Sequence, residues 1–68
     1  MNKDIIKGNW QTIKGKLKQQ WGKFTDDEIT TMEGNYDELI GNLQKKYGYH
    51  KDEAKTQIQN FIRDNQWK

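Results

Sequence analysis

At 68 residues the chain can build one small core and is too short for two. It has no cysteine, which removes disulfides, thiolate chemistry and Cys-based zinc sites and fits a reducing compartment. Formal net charge is only +2, so the overall balance does not by itself call for a polyanionic partner.

The charge is nonetheless segregated. Residues 1–24 hold six lysines against Asp4, whereas residues 25–40 hold six acids and no base. The two blocks can face each other within one fold. Lysines spread through the first twenty residues leave no apolar run long enough for a signal peptide or a membrane span, so a cytoplasmic location is expected. Charged residues make up 32% of the chain, a composition that raises disorder. Three Trp, three Tyr, two Phe and seven Ile argue for a core instead. Proline and valine are both absent, which favours an all-α fold.

Residues 8–22, GNWQTIKGKLKQQWG, align without gaps with residues 34–48, GNYDELIGNLQKKYG, at an offset of 26. Gly8, Asn9, Gly15, Leu17 and Gly22 recur as Gly34, Asn35, Gly41, Leu43 and Gly48. The chain therefore reads as an approximate internal duplication, with units at about 8–33 and 34–62, inside a single domain of residues 1–68.

In chain order, Ile6, Trp10, Ile13, Leu17 and Trp21 lie on one face of a first helix. Gly22 stands where a left-handed C-cap residue belongs. Thr25 with Glu28 forms a capping box, which predicts a second helix from Asp26 that buries Ile29 and Met32. Gly34 ends it, and Asn35 with Glu38 caps a third helix carrying Tyr36, Leu39, Ile40, Leu43 and Tyr47. After Gly48, His50 with Glu53 starts a fourth helix, whose apolar positions are Ala54, Ile58, Phe61 and Ile62 and which ends near Asn65. Trp67 is placed to fold back onto the core. Short connections between the four helices predict two helical hairpins packed across one another.

The side chains offer little reaction chemistry. There is no Ser or Cys and only one His, and His50 sits at a helix start, where it reads as a capping or loop residue. The acids Asp26, Asp27, Glu28, Glu33, Asp37 and Glu38 match no calcium-loop spacing, and most stand in first helical turns, opposite the helix dipole. Glycine-rich nucleotide motifs need a preceding strand, and no strand pattern exists. No catalytic residue, metal site or cofactor is expected.

Two surface features remain. Lys3, Lys7, Lys14 and Lys18 fall within about 60° of arc on a continuous first helix, forming a lysine stripe beside the apolar seam. Gly15 lies about 150° from that seam, and Gly41 repeats it in the second unit. Each glycine costs about 1 kcal/mol against Ala in a helix interior, which leaves two readings: inherited sequence or tolerated flexibility, or close approach of a helix or ligand backbone there. These six residues are the candidate interaction surface.

The run GNWQTIKGKLKQQWGKFTDDE, followed by EG, LIGNLQKKYGY and KDEA, resembles the CsbD-like family of small bacterial stress proteins over nearly the whole chain. Tyr36 stands where that family commonly has a basic residue. The resemblance implies a compact bundle of about four helices in two crossed hairpins, made during general stress or stationary phase, with no catalytic residues. Two functions follow as expectations. The first is a stress-response interaction or protective protein, monomeric, with a protein partner possible. The second is a weak nucleic-acid or membrane-surface binder acting through the lysine stripe.

Overall fold

Local helix signals are strong enough here to fix most element boundaries. The structure, a computed structural model, describes residues 2–67, without the side chain of Asn2. It holds five helices: α1 (Asn2–Gly8), α2 (Trp10–Gln20), α3 (Asp26–Met32), α4 (Tyr36–Tyr47) and α5 (Lys51–Asn65). Among the described residues there is no strand.

The caps show why the helices start where they do. Glu28 N–H donates to Thr25 Oγ1 at 3.1 Å, and Thr25 N–H donates back to Glu28 Oε1 at 2.9 Å, so the capping box of α3 is complete. At α4, Glu38 N–H donates to Asn35 Oδ1 at 3.0 Å. At α5, His50 N–H donates to Glu53 Oε1 at 3.3 Å. Gly48 closes α4 in the left-handed conformation at φ 71°.

Two boundaries differ from the sequence reading. The first helix is not continuous: Asn9, at φ −112° and ψ 16°, separates α1 from α2, which makes five helices rather than four. Backbone bonding carries across the bend, since Asn9 N–H donates to Ile5 O at 3.1 Å and Ile13 N–H donates to Asn9 O at 2.9 Å. Asn9 Nδ2 also donates to Ile5 O, at 2.9 Å. Second, Gly22 is not left-handed: among the described residues the glycines with positive φ are Gly34 and Gly48. Helix α2 instead ends on Trp21 in an extended conformation, φ −129° and ψ 86°, and a tight turn follows in which Phe24 N–H donates to Trp21 O.

Each helix sends apolar side chains to one core. Helix α1 supplies Ile6, α2 supplies Ile13 and Leu17, the α2–α3 connection supplies Trp21 and Phe24, and α3 supplies Ile29 and Met32. Helix α4 adds Leu39, Ile40 and Leu43, and α5 adds Ala54, Ile58, Phe61 and Ile62. Every buried side chain among the described residues is apolar. Helix α4 is central, packing on α1, α3 and, most extensively, α5. Trp10, Tyr36 and Tyr47, which sit on the predicted apolar faces, are only half-buried and close the edge of the core.

The chain end folds back as the sequence suggested. Gln66 takes φ 60°, and Trp67 N–H donates to Ile62 O at 3.2 Å, which terminates α5. Trp67 then meets Phe61 edge-on with ring centroids 4.9 Å apart, and Phe61 meets Trp21 at 5.0 Å.

Candidate functional site

The bend at Asn9 divides the lysine stripe. Lys3 and Lys7 lie on α1, and Lys14 and Lys18 lie on α2. Two of the four are matched by acids of the same chain: Lys3 Nζ is 3.6 Å from Asp37 Oδ2, and Lys18 Nζ is 2.7 Å from Asp26 Oδ1. All four of these partner side chains are largely solvent-exposed, so the pairs add little stability. Their effect is on the field, because they tie the basic first segment to the acidic second and shorten the stripe on offer to a polyanion.

The structure brings Lys14, Gly15 and Lys18 together with Asp26, Ile29 and Thr30, around an open groove of about 310 Å³ between α2 and α3. Gly41 lies on α4, outside that lining. A Cβ placed at Gly15 or at Gly41 meets nothing within 4 Å, so among the described residues no helix is in contact at either glycine. The close approach is at Gly34 instead. Gly34 is buried at φ 79°, and a Cβ there would stand 3.2 Å from Lys7 Cα and 3.4 Å from Trp10 Cβ and Cγ. Gly34 thus lets the α3–α4 turn seat against the α1–α2 bend.

A second groove runs between α3 and α4. Asp27, Glu28, Thr31, Met32, Glu38 and Asn42 line one part, of about 200 Å³. Lys7, Glu33, Gly34 and Asn35 join Thr31, Met32 and Glu38 in an adjoining part of about 300 Å³. Both parts are open to solvent. Among the described residues no group of three or more His, Cys, Asp or Glu side chains is arranged to hold a metal ion.

The densest polar arrangement joins the C-terminal end of α4 to the α2–α3 connection. Lys46 Nζ lies 2.7 Å from Glu28 Oε1 and donates to Lys23 O at 3.3 Å. One residue on, Tyr47 Oη accepts from Lys23 N–H at 3.1 Å, and the Lys23 ammonium sits 5.0 Å from the centre of the Tyr47 ring. Tyr47 stacks on Tyr49 with centroids 5.7 Å apart and meets Phe24 edge-on at 6.2 Å. The hydrogen bond from Lys46, with that from the Thr25 backbone, lowers the Glu28 pKa from 4.5 to about 2.

Sequence reasoning did not single out Lys46 or Tyr47 as a pair. A signal was present, because Lys46 and Tyr47 stand where the first unit has Gln20 and Trp21, and the exchange converts a neutral pair into a cation beside a phenol. This cluster clasps the end of α4 to the α2–α3 connection. No helix among the described residues is long and apolar enough to cross a membrane.

Comparison with known proteins bears on the whole chain. The CsbD-like family model matches residues 4–56. The chain is 47% identical over 68 residues to the UPF0337 protein YjbJ of Escherichia coli K12, covering 100% of this chain and 99% of that protein. It is similar to a UPF0337 protein of Pectobacterium atrosepticum, 49% identical over 61 residues, which cover 90% of this chain and 88% of that one. A more distant relative, a UPF0337 protein of Bordetella pertussis, is 43% identical over 65 residues, covering 96% of this chain and 98% of that one. With the family match spanning α1 to the first half of α5 and the relatives matching nearly end to end, the chain belongs to the CsbD-like family.

Proposed function

We propose that this chain is a stress-response protein that protects other macromolecules by remaining folded and hydrated as water becomes scarce. The observation that carries the reading is the partition of its side chains. Charged residues make up 32% of the sequence and mean hydropathy is −1.32, yet among the described residues every buried side chain is apolar. Among the described residues no charged side chain is buried, ion pairs such as Lys18–Asp26 join the basic segment to the acidic one, and net charge is small. Such a surface stays hydrated and holds water around neighbouring molecules without engaging any one of them tightly.

The test is drying or freeze–thaw of a labile enzyme with this protein or with an equal mass of albumin. More residual activity and less light scattering than with albumin are the expected result. Protection equal to albumin's would rule the reading out.

A further inference from the structure

The apolar periodicity of one segment runs straight where the structure bends. Ile6, Trp10, Ile13, Leu17 and Trp21 continue one helical face straight through residues 8 and 9. The structure bends there at one residue, Asn9, whose φ −112° and ψ 16° differ from helical values by about 50° and 60°. We propose that α1 is an exchangeable arm: Asn9 straightens, α1 and α2 become one helix, and α1 of a second copy fills the vacated place on α4.

Three observations support the exchange. The hinge is a single residue that keeps helical backbone bonds on both sides, to Ile5 O and from Ile13 N–H. The arm is only seven residues long. Its fully buried Ile6, its Lys3–Asp37 ion pair and the Lys7–Gly34 approach dock it on α4 and on the turn before α4, beside its contacts with α2.

A straightened chain cannot stay alone. Rotating two torsions at Asn9 lifts Ile6 out of the core and uncovers the apolar surface it seals, which is unfavourable in water. An identical arm from a second copy restores the same contacts, leaving mainly the cost of association. The closed monomer therefore prevails when dilute, and the reciprocal dimer grows with concentration.

The experiment uses the full chain, in equal parts unlabelled and ¹⁵N-labelled, concentrated together to about 1 mM and then cross-linked with a carbodiimide. Lys3 and Asp37 are exposed and paired, so they couple in either state. In an exchanged dimer, about half of the Lys3–Asp37 links join chains of different isotope. A second arm repeats this with Asn9→Ala, which removes the side-chain bond to Ile5 O at the bend and favours the straight helix. Its dimer association constant should rise at least about tenfold, measured by sedimentation, with helicity by circular dichroism retained. A wild-type sample and a folded variant that both stay monomeric would overturn the proposal. So would a dimer whose Lys3–Asp37 links are all of one isotope.

Discussion

Glu28 Oε1 serves two donors at once: Lys46 Nζ at 2.7 Å from α4, and Thr25 N–H at 2.9 Å from the cap of its own helix. The same carboxylate oxygen completes the start of α3 and pins it to the end of α4. Because both interactions favour the ionised form, the Glu28 pKa falls from 4.5 to about 2. A carboxyl group depressed in the folded state contributes stability that is present above its unfolded pKa and is lost as pH falls through the folded one. Melting temperature should therefore drop between about pH 4.5 and 2 more steeply for the wild type than for Glu28→Gln. The two curves should draw together below that window. In Lys46→Met, an NMR titration should find the Glu28 midpoint shifted back toward 4.5.

Gly34 and Gly15 should respond to alanine with opposite signs. At Gly34 the backbone is left-handed at φ 79° and the new methyl would stand 3.2 Å from Lys7 Cα. Gly34→Ala should cost about 2 kcal/mol or more from conformation and crowding together. Gly15 is helical, exposed and open around its missing Cβ, as is Gly41. Gly15→Ala and Gly41→Ala should each stabilise by about 0.5–1 kcal/mol. Urea melts of the three single variants check the signs.

These glycines also mark the limit of what the sequence tells. Thr25, Asn35 and Gly48 announce helix ends because each cap is a local interaction, three residues apart or a single backbone conformation, and each appears where it was expected. Gly22 follows the same local rule and fails, because Trp21 ends the helix in an extended conformation and removes the need for a left-handed residue. The bend at Asn9 is invisible to periodicity, since the apolar face runs through it unbroken. It reflects a tertiary fit, in which the α3–α4 turn closes against Lys7 and Trp10. Charge segregation made facing blocks legible, but not that Lys3 and Lys18 would be the lysines matched with Asp37 and Asp26. Lys14, Gly15 and Lys18 share a groove, whereas Lys3, Lys7 and Gly41 lie elsewhere.

Trp67 follows α5 and reaches the core through the edge of Phe61 at 4.9 Å, extending a chain of rings to Trp21. Its ring is half-buried, and the aromatic contact adds to simple burial. Trp67→Ala should destabilise by about 1–2 kcal/mol. It should also change the near-ultraviolet circular dichroism, because Trp21 and Phe61 lose a fixed neighbour. If stability and the aromatic signal both stayed at wild-type values, the terminal contact would be energetically idle.

Tyr47 holds the α2–α3 connection in two ways, and a pair of variants separates them. Its hydroxyl oxygen accepts from Lys23 N–H at 3.1 Å, while its ring contacts Phe24, Tyr49 and the Lys23 ammonium. Lys23 is exposed, so water can replace the hydroxyl when it is removed. Tyr47→Phe should accordingly cost less than about 1 kcal/mol. Tyr47→Ala removes a half-buried ring beside fully buried Phe24 and should cost about 2–4 kcal/mol. Equal losses in the two variants would mean that the single hydrogen bond, rather than ring packing, holds the connection against α4. Because Lys46 binds Lys23 O and Glu28 independently of the phenol, the Glu28 titration in Tyr47→Phe should stay low, near about 2.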